Sequence, residues 1–257
     1  MHKPEFSTKL VETAEELRAA QRLRYRVFVE ELGAGGADVD HEARLEKDRF
    51  DPFFDHLILI DHAHEGGLDE QVVGVYRLLR DDQAEAAGQF YSEDEYDLTP
   101  LRSSGRRLLE LGRSCLDVDY RGGAAMFHLW NALAAYVFEH DIEILFGTAS
   151  FHGTDLEALA QPLAMLYHNH LAPMELRVRA QPDHYADMNR VAIADLDRRR
   201  AMVQVPALIK AYLRLGGFVG DGAFVDLGFN TIDVCLIMDT SRMNEKQKNI
   251  YTKEVVR

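Results

Sequence analysis

Apolar residues at helical spacing, Leu17, Ala20, Leu23, Val27 and Phe28, follow Thr13-Ala-Glu-Glu16 and predict a helix that stops near Gly33. Thr13 and Glu16 stand three apart, the spacing of a capping box. Residues 9–12 close a first strand ahead of it. Residues 33–55 read as an acidic loop ending in Phe50-Asp-Pro-Phe-Phe-Asp55. Two compact apolar runs, 56–61 and 72–79, flank a polar turn and predict an antiparallel hairpin. An acidic connection expected to be mobile covers 81–97. The run 108–116 predicts a strand that leads through Arg121-Gly-Gly into a long helix ending near His140. Further elements follow: a strand over 143–150, a helix over 155–168, an amphipathic helix over 202–215, and strands over 217–226 and 231–238.

The order β-α-β-β-β-α-β-α-(α)-β-β predicts an α+β fold with a mixed, mostly antiparallel central sheet flanked by helices. The long helix joins two neighbouring strands as a right-handed β-α-β unit would. No repeat or linker divides the chain. One domain is expected over 1–240, followed by a polar tail over 241–257.

Composition narrows the class. The 257 residues carry 43 acidic against 29 basic side chains, a formal net charge of −14, which speaks against nonspecific nucleic-acid binding. Cys115 and Cys235 lie apart among apolar residues and read as buried thiols. The N-terminus has no apolar signal core, and the longest apolar run, near 127–138, is too short to span a bilayer. A cytoplasmic protein is expected, with peripheral contact at the inner membrane left open. The pairs His62/His64 and His168/His170 lack the company of a metal motif and read as surface histidines, so no metal is expected. No Gly-x-Ser-x-Gly elbow or nucleotide-binding P-loop is present.

The chemistry concentrates at Glu110-Leu-Gly-Arg113 and Arg121-Gly-Gly-Ala124. Gly112 interrupts an apolar strand. A bulge there would turn Glu110 and Arg113 into one cleft, whereas a regular strand would place them on opposite faces, in solvent-side ion pairs. Arg121, Gly122, Gly123 and Ala124 open a helix whose bare amides suit a phosphate, although a Gly-Gly pair before a helix is often only a turn. Asp51 and Asp55 lie among Phe50, Phe53 and Phe54. They suit an ammonium-bearing ligand, or are turn acids beside core aromatics. Arg24 and Phe28 share a helical face, and Arg77, mid-strand, needs a partner that Asp55 or Glu110 could supply.

Together, Arg24-x-x-x-Phe28, Phe50-Asp-Pro-Phe-Phe-Asp55, Gly74-Val-Tyr-Arg77 and Glu110-Leu-Gly-Arg113 resemble the Gcn5-related N-acyltransferase superfamily, in the branch near the acyl-homoserine-lactone synthases. Arg121-Gly-Gly-Ala124 resembles that superfamily's pyrophosphate loop in shortened form. The tryptophan that lactone synthases carry after Arg-x-x-x-Phe is missing, and the chain runs on through 207–217 and 229–238. Those segments resemble the bacterial L-ornithine N-acyltransferases.

The resemblance implies transfer of a 3-hydroxyacyl group from acyl carrier protein to the α-amine of L-ornithine, with no cofactor beyond the carrier's own phosphopantetheine. It implies Glu110 as proton acceptor, Asp55 holding an ammonium with Asp51 nearby, and Arg24, Arg77 and Arg113 balancing the carboxylates or gripping the ornithine carboxylate. A carrier protein is acidic, so Arg102, Arg106 and Arg107, beside Arg121, are expected as its docking face. Competing expectations are a sister enzyme for another amino acid, a lactone-type synthase, and a non-catalytic carrier- or lipid-binding protein.

Overall fold

The computed structural model describes residues 3–35 and 39–243; the expected tail lies, from residue 244 on, outside them. The first half comprises β1 (Phe6–Leu10), α1 (Ala14–Arg24), β2 (Asp55–Asp61), α2 (Leu68–Gln71), β3 (Val72–Arg80), α3 (Asp81–Ala87), β4 (Tyr96–Asp97), α4 (Thr99–Arg102) and β5 (Leu108–Leu116). Then come α5 (Ala125–Glu139), β6 (Ile144–His152), α6 (Ala160–His170), β7 (Arg179–Ala180), β8 (Tyr185–Ala186), α7 (Arg198–Gln204), α8 (Ala207–Arg214), β9 (Phe218–Val219), β10 (Ala223–Asp226) and β11 (Thr231–Asp239).

The hydrogen-bond order of the main sheet is β1-β2-β3-β5-β6-β11-β10-β8, with β9 also on β11. The β5/β6 pair is parallel, while β1/β2, β2/β3, β6/β11 and β10/β11 are antiparallel. This is the mixed, mostly antiparallel sheet expected from the sequence. The parallel ladder is short, running from Leu108↔Ile144 to Glu110↔Phe146.

The chain forms two compact units interleaved in sequence, and β5 passes from one to the other between Glu110 and Leu111. In the unit that holds β1–β3, α1 and α5, Thr13 caps α1 through Glu16 N–H, and Glu16 returns the bond to Thr13 N–H at 3.1 Å. The helix buries Ala19, Ala20 and Leu23 against Ile58, Val72 and Val75. α5 buries Ala125, Leu129, Leu133 and Tyr136, a stripe spaced four, four and three residues apart. In the other unit, Phe90 meets Phe146 edge-on at 5.0 Å, and the buried Tyr96 hydroxyl donates to the carbonyls of Gly222 and Asp233.

Four expectations change. The acidic connection over 81–97 is ordered, because Ala84, Phe90, Ser92 and Tyr96 are buried in it. The helix over 202–215 is two helices, since Pro206 has no N–H to continue the first. The helix after Arg121 begins at Ala125, beyond Gly122, whose φ of +75° is left-handed. Beyond Arg24, α1 widens into a π-helical stretch over Tyr25–Glu31, with Leu32 N–H bonded to the Val27 carbonyl five residues back at 3.2 Å.

Candidate active site

A buried ion cluster lies in the first unit where α1, β3, β5 and the 46–51 loop meet. Arg24 reaches it from the last turn of α1, at the π-helical junction. Its Nε donates to Glu46, and its Nη1 donates to Asp51 Oδ1 at 2.9 Å. Arg77 Nη1, from β3, donates to Asp51 Oδ1 at 2.7 Å and to Asp48 Oδ2 at 2.7 Å. Arg113, from β5, donates through Nε to Glu46 Oε1 at 3.0 Å and lies 3.5 Å from Asp48. Gln21 Nε2 donates to Asp51 Oδ2 at 2.8 Å, and His56 Nε2 contacts the Asp51 carbonyl at 3.0 Å. Three guanidiniums face three carboxylates, which lets so much charge remain inside.

Burial by itself would raise the Glu46 carboxyl, but the Arg113 and Arg24 guanidiniums outweigh it and hold the group near 2. Asp51 goes the same way: burial opposes its charge, and Arg24 and Arg77 hold it well below the usual carboxylate range. Burial, aided by these cations, lowers His56 to about 4 despite the nearby Asp51, so the ring is neutral at pH 7. Arg113 and Asp48 are the members that reach solvent, with side chains 12% and 13% exposed against 0% for Arg24 and Arg77. The Phe28 ring lies 5.9 Å from the Arg113 guanidinium. This edge offers a cation and an anion side by side, as an amino-acid head group requires.

The structure therefore brings Arg24, Phe28, Asp51, Arg77 and Arg113 together and revises several roles. Asp51 is buried with both oxygens bonded to Gln21, Arg24 and Arg77, so it anchors arginines inside the protein. Arg77 pairs with Asp48 and Asp51, where Asp55 or Glu110 was expected. Asp55 Oδ2 accepts instead from Arg80 at 2.6 Å and from the Tyr136 hydroxyl at 2.6 Å, so its charge is already matched. Glu46, Asp48, Arg80 and Tyr136 were not anticipated. Acids in an acidic loop resemble solvated turn residues, and only the buried arginines opposite reveal their task.

Glu110 is buried, and its carboxylate faces the Tyr91–Ser92 turn. Oε2 accepts from Tyr91 N–H at 2.8 Å, and Oε1 accepts from Ser92 N–H at 2.7 Å and from the Ser92 hydroxyl. Its partners differ from those of Arg113. The left-handed residue in β5 is Arg113, with φ +49°, rather than Gly112.

The Arg121 side chain is also engaged: it forks onto Glu31 at 2.6 and 2.7 Å and bonds the Leu116 carbonyl. What remains for an anion is the backbone. Ala124 caps α5 with no side-chain bond, leaving first-turn amides for another acceptor. The expected docking arginines carry acids of their own: Arg102 pairs with Glu93, and Arg106 grips Asp239 at 2.7 and 2.8 Å.

Of the close histidine pairs, His62 is exposed and bonds Ser7, whereas His168 and His170 are half-buried, His168 on the Val191 carbonyl and His170 with its pKa lowered by burial. Among the described residues Glu95, Asp226 and Asp233 bring carboxylate oxygens within 4.8 Å of one another. Asp226 already accepts the amides of Gly228 and Phe229, and Asp233 accepts the Thr231 hydroxyl.

A model of the acetyltransferase (GNAT) domain family matches residues 23–131, which include every charged member of the cluster. The L-ornithine N(alpha)-acyltransferase of Rhodobacter capsulatus is 61% identical over 97% of this chain and 96% of its own length. That of Brucella abortus is 41% identical over 98% and 90%. Among solved structures, a CoA-dependent acyl-homoserine lactone synthase superposes with a TM-score of 0.55 at 13% identity, covering 98% of this chain and 90% of that one, a likeness of fold alone. Full-length identity of this order, on a fold whose buried cluster lies inside the GNAT match, establishes that the chain belongs to the L-ornithine N(alpha)-acyltransferase family.

Proposed function

We propose that this protein transfers a 3-hydroxyacyl group from the phosphopantetheine thioester of acyl carrier protein to the α-amine of L-ornithine, giving lyso-ornithine lipid. The observation that carries the proposal is the 61% identity, over nearly the whole of both chains, to a protein named for that acceptor. The geometry supports it at the exposed edge of the ion cluster. Arg113 takes the ornithine carboxylate in a forked contact, and Asp48, the most exposed carboxylate of the cluster, gives up its 3.5 Å contact with Arg113 to take an ammonium.

In the reaction the amine nitrogen attacks the thioester carbonyl, the carbon–sulfur bond breaks, and the amide and the carrier thiol leave. The amine must give up a proton, and Glu110 accepts it, directly or through a water. The amides opening α5 at Ala125, with the turn over Gly122–Ala124, hold the carrier's phosphate.

The test is a mixture of purified protein, 3-hydroxyacyl carrier protein and the amino acids, with products read by mass. Acyl-ornithine as the principal amide is expected, with the carrier thioester preferred over the CoA thioester. Amides of another amino acid alone would assign a sister enzyme. Carrier binding without any amide would leave a binding protein.

A further inference from the structure

The unit that contains β6 and β11 displays a surface that the acyl-transfer site does not use. α7 packs on α6 and buries Ala201, and Val205, just past its end, is buried as well. The opposite face carries Arg199 and Val203, also one turn apart, with Arg200 and Met202 on its flanks and Arg198 at its start. Val203 is 76% exposed, and Ile193, in the preceding loop, is 58% exposed. Arg198, Arg199 and Arg200 are exposed and make no ion pair among the described residues. The acids nearest in sequence are Asp195 and Asp197; Asp197 caps α7 by accepting from Arg200 N–H at 3.0 Å and makes no ion pair with these arginines. These three cations without ion pairs form a local basic spot on a protein of net charge −14, and large bare apolar side chains adjoin it in sequence.

We infer that this face of α7 docks the protein on an anionic lipid surface, the arginines meeting head-group phosphates while Val203, Met202 and Ile193 enter the interface. Arginines in the first turn of α7 followed by bare aliphatic side chains in its second supply the two contacts of an interfacial segment, charge to the head groups and apolar surface to the acyl boundary. An acidic protein partner would satisfy the charge, but it leaves the exposed valine and isoleucine without a role. The product of the proposed reaction, a polar head on a single acyl chain, belongs in a bilayer; this part of the argument rests on the proposed function. Each arginine held at an anionic surface strengthens partition roughly five-fold, so the three together give on the order of 100-fold.

The test is co-sedimentation of the full chain with vesicles of phosphatidylcholine alone or with one third phosphatidylglycerol, at low and high salt. Binding to the anionic vesicles only, weakened by salt, is expected. R198E/R199E/R200E should lose about 100-fold of that binding, and V203D a substantial part at unchanged charge on the arginines. Unaltered melting and unaltered acyl transfer in vesicle-free solution confirm that both variants are folded. Equal sedimentation of wild type and triple variant, or no sedimentation of wild type, overturns the inference. So does a triple variant whose only loss is affinity for acyl carrier protein, which assigns the surface to the carrier. The readout is binding, so a failure of the acyltransferase reading leaves it interpretable.

Discussion

Arg24 and Arg77 donate to the same oxygen of Asp51, at 2.9 and 2.7 Å. One carboxylate thus ties the end of a helix to the middle of a strand, and two fully buried guanidiniums depend on it. Asp51→Asn keeps the shape and removes the charge. Loss of one member from a buried pair costs about 3–5 kcal/mol, since the remaining charges stay inside uncompensated. Asp55→Asn, at a partly buried pair with Arg80, should cost less, about 1 kcal/mol. Urea denaturation of the two variants checks the order; equal losses would remove Asp51 from the centre of the cluster.

The same cluster makes the protein acid-sensitive from an unusual starting point. His56 is lowered from 6.5 to about 4, chiefly by burial. The unfolded chain therefore takes up this proton before the folded one, and stability present above pH 6.5 falls as the pH drops towards 4. The full window is worth about 3 kcal/mol. Glu46, lowered from 4.5 to about 2, adds a second loss with the same sign below pH 4.5. His56→Gln should flatten the dependence between pH 6.5 and 4.5 while leaving the steeper limb below. Urea midpoints at half-unit pH steps measure it, and an unchanged slope in the variant would assign the dependence to other groups.

Legibility of the sequence followed how local each signal is. The capping box at Thr13 and Glu16 and the strand Leu108–Leu116 were readable because a few neighbouring residues decide them. The 81–97 segment was not, because Phe90 and Tyr96 bury alone rather than as a periodic run. Arg24, Phe28, Asp51, Arg77 and Arg113 were legible as a set, while their pairing was not. Asp48 and Glu46 act only through arginines that arrive from α1, β3 and β5. Pro206 breaks the helix at 205, while the apolar pattern on either side of it runs on as if through one helix.

Two glycines separate tight packing from apparent need. A Cβ on Gly74 would sit 2.8 Å from Leu116 Cδ2, 2.9 Å from Leu129 Cδ1 and 3.1 Å from Leu59 Cβ, all in the core. Gly74→Ala should cost about 1–3 kcal/mol through overpacking. A Cβ on Gly112 would meet Arg77 Nε at 3.7 Å, an ordinary contact, and its φ is not left-handed. Gly112→Ala should therefore leave the melting temperature nearly unchanged. If Gly112→Ala proved the worse of the two, the strand would need flexibility there that its conformation does not display.

Arg106 was expected to face the carrier, but its fork is closed on Asp239. The charge-assisted bonds are the main reason the Asp239 carboxyl lies well below the usual range, so the carboxylate is charged at every ordinary pH. Arg106→Glu would oppose two carboxylates, with Glu143 close by at 3.4 Å. The expected loss is about 2 kcal/mol of stability, with carrier affinity unchanged after correction for the folded fraction. A clean fall in affinity at full stability would restore the arginine to the docking face.

Glu110 holds the Tyr91–Ser92 turn through three donors, so a plain substitution there confuses anchoring with proton transfer. Glu110→Gln presents an amide N–H₂ to backbone N–H groups and disturbs the turn as well as removing the acceptor. Ser92→Ala removes only the hydroxyl donor and leaves the carboxylate in place. A residue that takes the amine's proton should make Glu110→Gln slower by about 100-fold or more in single-turnover acyl transfer. Ser92→Ala, with a similar loss of turn stability, should then stay within about tenfold of the parent. Pairing each rate with a melting curve separates the roles: rates that track stability in both variants would make Glu110 a positioning residue, whereas the expected divergence ties the rate to the carboxylate itself.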